Sequence, residues 1–516
     1  MKKITALLLT AILAFSIFTA CSKANAEQPQ GDTGDNISDT EAHDDSITIV
    51  MESEPTTLNP YDHAAVTSGY MNQLTYNKLF RVDVDTLEPV PDLCNTYENV
   101  DENTWLFTIK PGVKFHDGTE LTSEDVKASM EFARSFTSAN KYTSFWTNIE
   151  IVDDLTVRIT TDGPYAQILN DLSANGNTIV PKHLIDEGND FNVNPIGTGP
   201  YKFVQWTLGD NLTFVKNEDY FDKDHMPTIT NMTWRIIPEG SSRTIALETG
   251  EADLIIDVES TDVDRLRDMD GAEVLEVEGT RMNFFALNNE KAPFDNVLVR
   301  KAINSLIDKQ AVVEVAANGQ GKPSVSMNPA AYAGITGDGA DQFSVQTALE
   351  YFDQAGIDPT TLSFTCMVYT DATRRAAEVI QGCMLEAGIT MNIESLDFAA
   401  FLSRLLEGDF ETGIAGYTSS DVLTYMKGLW HSGSINAANS TRINDPELDA
   451  LIDLACTQLD ESERLSTIAK ISDMTNELTP FAPLYTSSVI RAYSSDLHGV
   501  KVSASGLMYF ADLSWN

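Results

Sequence analysis

Short strand-like segments alternating with helix-like ones, from Ile47 to the C-terminus, constrain the fold of this chain more than any other feature. Ile47-Thr48-Ile49-Val50-Met51 has strand character. Trp105, Phe107 and Ile109 alternate as on a half-buried strand after a polar turn at Asp101-Glu102-Asn103. Leu155, Val157 and Ile159, then Met232, Trp234 and Ile236, repeat that period of two, and all three segments are expected to be antiparallel strands. Elsewhere the period is helical. Asp371 is read as the cap of a helix running through Val379 and Met384 to Leu385 and stopped by Gly388. Asp460, with Glu463 three residues on, makes a capping-box pattern ahead of Ile468 and Ile471. No internal repeat is present. The predicted class is mixed α/β, and 516 residues are too many for one compact core, so two or three domains are expected.

The N-terminus is of another kind. Lys2 and Lys3 precede an apolar run from Ile4 to Ala20, the order of an export signal. A membrane span needs about 20 apolar residues, and the chain turns polar at once after Cys21, so residues 1–20 are expected to be cleaved. Two cuts are readable: before Cys21, and after Ala24-Asn25-Ala26, which would release the protein. Phe18-Thr19-Ala20-Cys21 resembles the lipobox of bacterial lipoproteins, with Phe18 where those have Leu. The resemblance implies that Cys21 is lipidated and anchors the chain to the cell membrane on its extracytoplasmic side. Residues 21–45, rich in Gly, Ser, Asp, Glu and Gln, cannot support a core and read as a flexible acidic tether.

Thirty-four basic against 77 acidic side chains give a net charge of -43, which opposes binding to nucleic acid and to anionic lipid surfaces. Cys94, Cys366, Cys383 and Cys456 are widely spaced, with no C-x-x-C pair, and read as buried free thiols, with a Cys366–Cys383 bridge left open. Motifs whose spacing has a mechanical reason are missing: there is no G-x-S-x-G, H-E-x-x-H, G-x-x-x-x-G-K-[ST] or EF-hand loop. Ser138-Ala139-Asn140-Lys141 matches S-x-x-K without its companion elements. No metal or cofactor is implied, and an enzyme is not expected.

From Val90, the run VPDLCNTYENVDENTWLFTIKPGVKFHDGTELTSEDVKASMEFA resembles the signature of the family 5 solute-binding proteins, the dipeptide, oligopeptide, glutathione and nickel receptors of ABC importers. Its physical reading is a strand pair, turns at Pro111-Gly112 and His116-Asp117-Gly118, and a helix with Ser123 as N-cap and Asp125 in its first turn. Further matches follow in order: GTGPYKFVQW at Gly197–Trp206, LETGEADL at Leu247–Leu254, APFDNVLVRKAINSLIDKQAVV at Ala292–Val313 and DPELDALI at Asp445–Ile452. The resemblance implies a type II periplasmic-binding-protein-like fold with two lobes and a hinge. Lobe I would be 46–284 plus 483–516, with an extra subdomain at about 89–195, and lobe II 285–482. The crossings are expected near Phe284–Asn288 and Phe481–Tyr485.

The implied function is that of a monomeric receptor closing on a peptide, foremost an oligopeptide, and passing it to permease subunits driven by cytoplasmic ATPases. A nickel chelate, a glutathione-like solute, an oligosaccharide, or peptide sensing without import are the alternatives. The family's ligand strand falls on Gly416, Tyr417, Thr418 and Ser419, with Asp421 as the ammonium anchor or, alternatively, the cap of the next helix. The Tyr of the dipeptide receptor's carboxylate clamp matches Tyr369, but its Arg is replaced by Met367, and a thioether cannot form that charge clamp. Arg281 or Arg374 could serve the carboxylate of a ligand of another length, with Arg374 reading rather as a surface helix residue. Thr67, Ser68, Gly69 and Tyr70 correspond to a loop bordering the cleft. Trp146, Trp206 and Trp234 are expected in cores, and Trp430 at the cleft.

Overall fold

The computed structural model describes residues 45–63, 65–336 and 339–515. The expected signal segment, Cys21 and the tether to residue 44 lie outside them.

One eleven-stranded mixed sheet runs through the molecule, built as two halves. In the first, Ser46–Met51 lies between Asn231–Ile236 and Leu254–Ile255, parallel to both, and Asn211–Lys216 and Tyr201–Thr207 continue antiparallel. In the second, Ser363–Val368 lies between Thr390–Ser395 and Thr412–Tyr417, again all parallel. Two long antiparallel strands, Ala272–Leu287 and Phe481–Ser494, join the halves. Phe481–Ser494 also pairs with Leu254–Ile255 in the first half, and Ala272–Leu287 with Thr412–Tyr417 in the second. Their mutual register shifts between Glu278 and Met282. The first half has its own core around Ile49, Trp234 and Phe510. The second is covered on both faces, by Phe285, Ile303 and Ile380 on one and by Phe284, Phe401 and Trp430 on the other.

A separate four-stranded antiparallel sheet, in the order Cys94–Asp101, Thr104–Ile109, Thr156–Thr161, Trp146–Asp153, carries the expected alternation. Trp105, Phe107 and Ile109 are buried, as are Val157 and Ile159, under helix Ser123–Ala133. Met232 and Trp234 are buried too, and their strand is antiparallel to Asn211–Lys216, as expected, but parallel to Ser46–Met51 on its other side. A period of two reports which face is buried, and direction is decided by the partner strand.

Two caps move by one residue. The helix expected to start on Asp371 is capped by Thr370, whose hydroxyl accepts from the Thr373 amide. Thr122, not Ser123, caps the helix at 123–133 through a capping box with Asp125, and Ser123 Oγ donates to the Asp153 carbonyl at 2.6 Å. Asp460 caps as expected, accepting from the Glu463 amide. The turns at Gly112 and Gly118 both have positive φ, 73° and 90°. All four described cysteines are free: Cys94 and Cys366 are buried, Cys383 and Cys456 half-buried, and no Cys366–Cys383 bridge forms.

Candidate functional site

Parallel strands with helical crossovers leave their carboxyl ends open to a crevice, the usual place for a ligand in such sheets. Here Met51, Ile236 and Ile255 end the parallel strands of one half, and Val368, Ser395 and Tyr417 those of the other. Where the two joining strands change register, Arg281, Asn283, Tyr485 and Gly416 come together. Asn283 stands opposite both Tyr485 and Gly416 and donates from Nδ2 to Ser487 Oγ at 2.9 Å. Arg281 lies across Gly416, where an added Cβ would be 2.6 Å from its Nη2 and 3.0 Å from Asn283 Oδ1. The Arg281 side chain is exposed and has no ion pair among the described residues. Burial raises the Tyr485 hydroxyl pKa, and the Arg281 charge opposes that rise.

The Thr412–Tyr417 strand runs on into the segment ahead of helix Val422–Trp430. That strand pairs with Ser363–Val368 only at Thr412 and Gly413, so from Ile414 to Tyr417 its edge on that side carries no strand among the described residues. Thr418 Oγ1 lies 3.2 Å from Thr280 Oγ1. The Ser419 carbonyl accepts from Tyr332 at 2.8 Å, and Ser419 Oγ is buried with no partner among the described residues. Asp421 is the N-cap of helix Val422–Trp430, with Oδ1 accepting from the Thr424 amide at 2.9 Å and from Gln167 Nε2 at 3.2 Å. The same carboxylate lines about 500 Å³ of space between Leu87 and Glu88 on one side and Tyr332, Arg464 and Ile468 on the other. Burial raises the Glu88 carboxyl pKa, Arg464 opposes, and Glu461 and Asp421 add to the rise.

Tyr369 is half-buried at a strand's carboxyl end, with its ring 4.6 Å from Phe401 and 5.2 Å from Phe398, and Phe398 is 57% exposed. Met367 is buried in the core, and Arg374 is paired with Asp371 and Glu378, so neither offers a charge here. Three predicted contacts are corrected. Trp430 is fully buried, donates from Nε1 to Asn328 Oδ1 at 3.0 Å and packs on Phe481, because it lies on the inner face of its helix. Tyr70 is buried and stacked on Trp234, with its hydroxyl held by Arg491. Ser68 is buried and accepts from the Thr56 and Thr57 amides, so it shapes the loop after Met51 instead of facing a ligand. Thr67 is half-buried and donates from Oγ1 to the Glu54 carbonyl at 3.3 Å, and Gly69 is half-buried within helix Val66–Thr75. Of the other tryptophans, Trp146 and Trp234 are in cores, while Trp206 is half-buried and donates to Glu54.

Asn283, Tyr485, Ser487 and Glu88 were not anticipated. Only the period of two through Arg281 and Asn283 could have flagged one of them, because the rest arrive from distant sequence.

The model of the bacterial extracellular solute-binding proteins, family 5 (middle), matches residues 88–437. The glutathione-binding protein GsiB of Salmonella paratyphi A is 24% identical over 471 residues, 88% of this chain and 91% of that protein. Among solved structures, HbpA2 from Haemophilus parasuis superposes with a TM-score of 0.84 at 24% identity, covering 91% of this chain and all of that one. The periplasmic binding protein DppA from Helicobacter pylori, in complex with the peptide STSA, gives 0.72 at 24% identity over 91% of this chain and 98% of its own. These neighbours share the two-lobed periplasmic-binding-protein fold.

Proposed function

This chain belongs to the bacterial extracellular solute-binding proteins, family 5, and from that premise we propose that it captures a peptide or peptide-like solute between its lobes and delivers it to an ABC permease. The protein does no chemistry on that solute. The observation that carries the peptide reading is the unpaired edge of Ile414–Tyr417, beside which an extended peptide can add as a strand through main-chain hydrogen bonds. Arg281 receives a carboxylate of the solute, replacing the clamp that Met367 has lost, and Asp421 receives its ammonium on the far side. Glutathione and STSA, the ligands named for the two similar proteins, are both peptides with free carboxylates. Lobe I comprises 46–284 plus 483–516 with its subdomain at 89–195, and lobe II 285–482. The flexible point of the hinge is the register shift at Gly279–Arg281, a little before the expected crossing. A lipid on Cys21 and the tether behind it keep this monomeric receptor beside its permease.

Mass spectrometry of the denatured purified protein is expected to find small peptides. Recovery of a metal chelate or a sugar in their place rejects the peptide reading. In calorimetric titrations with a recovered peptide, Arg281→Gln should weaken the free acid by about 1.5–3 kcal/mol, the range for charged hydrogen bonds, and leave the C-terminal amide unchanged.

A further inference from the structure

A second cavity lies wholly outside the cleft just described. About 530 Å³ of space opens between the end of helix Val66–Thr75, the strand Phe80–Val82, the 220–225 loop and the C-terminal segment 509–512. Every residue lining it comes from the first half of the chain or its last residues, so it does not depend on how the lobes are set.

Its charged lining leaves specific groups over once internal partners are assigned. Asp92 accepts from Asn77 Nδ2 through both oxygens, at 3.1 and 3.0 Å, and from the Lys78 amide at 3.2 Å. Lys78 Nζ donates to Asn175 Oδ1 at 3.2 Å, and Asp512 is taken by His225 at 2.6 Å. Three groups remain. Arg81 is half-buried, lies 5.0 Å over the Tyr509 ring, is drawn electrostatically to Tyr509 and Asp92, and makes no salt bridge among the described residues. Asp222 accepts from the Asp224 amide through Oδ1 at 3.2 Å, and its Oδ2 has no hydrogen-bond partner among the described residues. Gln73 Oε1 is buried with no hydrogen-bond partner among the described residues, a costly state for an acceptor. One cation for a carboxylate, with one carboxylate and one amide oxygen for an ammonium, is the complement of a zwitterion.

We propose that this cavity is a second binding site, for a free α-amino acid, with Arg81 holding the carboxylate and Asp222 with Gln73 Oε1 holding the ammonium. Thermal-shift titration of the full chain with each of the twenty L-amino acids tests it. At least one is expected to raise Tm, with its N-acetyl and amide derivatives inactive. Arg81→Gln and Asp222→Asn should each weaken that ligand at least tenfold while peptide capture at the cleft persists. Asp222 is half-buried, and Asp222→Asn keeps its size and the oxygen that accepts from the Asp224 amide, so this variant stays informative if Arg81→Gln fails to fold. The proposal is overturned if no amino acid shifts the wild type, if the response survives Asp222→Asn, or if Arg281→Gln abolishes it, which would place the amino acid in the cleft.

Discussion

At the scale of single residues, Asp421 does two jobs that ordinary mutagenesis would confuse. Its Oδ1 caps helix Val422–Trp430, and the same side chain borders the space shared with Glu88. Asparagine caps about as well as aspartate, whereas alanine costs about 1 kcal/mol at such a position. Asp421→Asn is therefore expected to keep Tm and lose affinity for a peptide with a free N-terminus, and Asp421→Ala to lose both. Equal affinities for wild type and Asp421→Asn, measured by calorimetry, would leave only the cap. Trp430 shows the limit of reading one residue at a time. An indole near a ligand strand in sequence looks like a cleft aromatic, yet helical geometry turns it inward, where Asn328 supplies the acceptor its Nε1 requires. Arg281 was legible only as a cation that could meet a ligand carboxylate. Its neighbours were not, since Tyr485 and Ser487 come from two hundred residues away.

Among elements, the turn before the short helix Ile168–Ser173 touches helices Val422–Trp430 and Pro446–Thr457. Gln167 Nε2 reaches Asp421 and, at 3.0 Å, Thr424 Oγ1, and the Ala166 amide donates to the Cys456 carbonyl at 2.9 Å. Behind that contact Asp171 accepts from the Tyr165 hydroxyl at 2.6 Å. Burial pushes the Asp171 carboxyl up to about 7, the Tyr165 hydrogen bond opposes this, and the Asp421 charge adds to it. A carboxyl raised on folding favours the native state while protonated. Its penalty is absent below the unfolded value near 4, grows as pH rises and is complete above about 7. Asp171→Asn should therefore raise Tm at pH 8 and change little at pH 4, as thermal melts across that range will show. An equal effect at both pH values would mean that the charge is not what costs stability. Element types were legible from periodicity, as Phe107 and Ile109 or Asp460 show. Two caps were displaced by one residue, at Thr122-Ser123 and Thr370-Asp371, because only the backbone decides which of two adjacent side chains reaches the third amide.

For the molecule as a whole, the two joining strands carry the hinge proposed above. Their register break surrounds Gly279, where a Cβ would stand 2.4 Å from the Ser487 carbonyl. That oxygen is backbone and cannot swing aside, so Gly279→Ala must shift the bulge at a cost of about 1–3 kcal/mol. The variant should melt lower and lose the decrease in radius of gyration that small-angle scattering is expected to record when peptide binds the wild type. Unchanged compaction would put the hinge elsewhere. The sequence by itself determined the mixed α/β class, the alternation that buries each strand and the family, since these follow from local periodicity and from motifs contiguous in the chain. Only the tertiary structure decided that Asn231–Ile236 runs parallel to Ser46–Met51, that Ser68, Tyr70 and Trp430 serve the scaffold, and that Arg281 meets Asn283, Gly416 and Tyr485. Such pairings depend on which distant segments pack side by side, and local spacing carries no record of that choice.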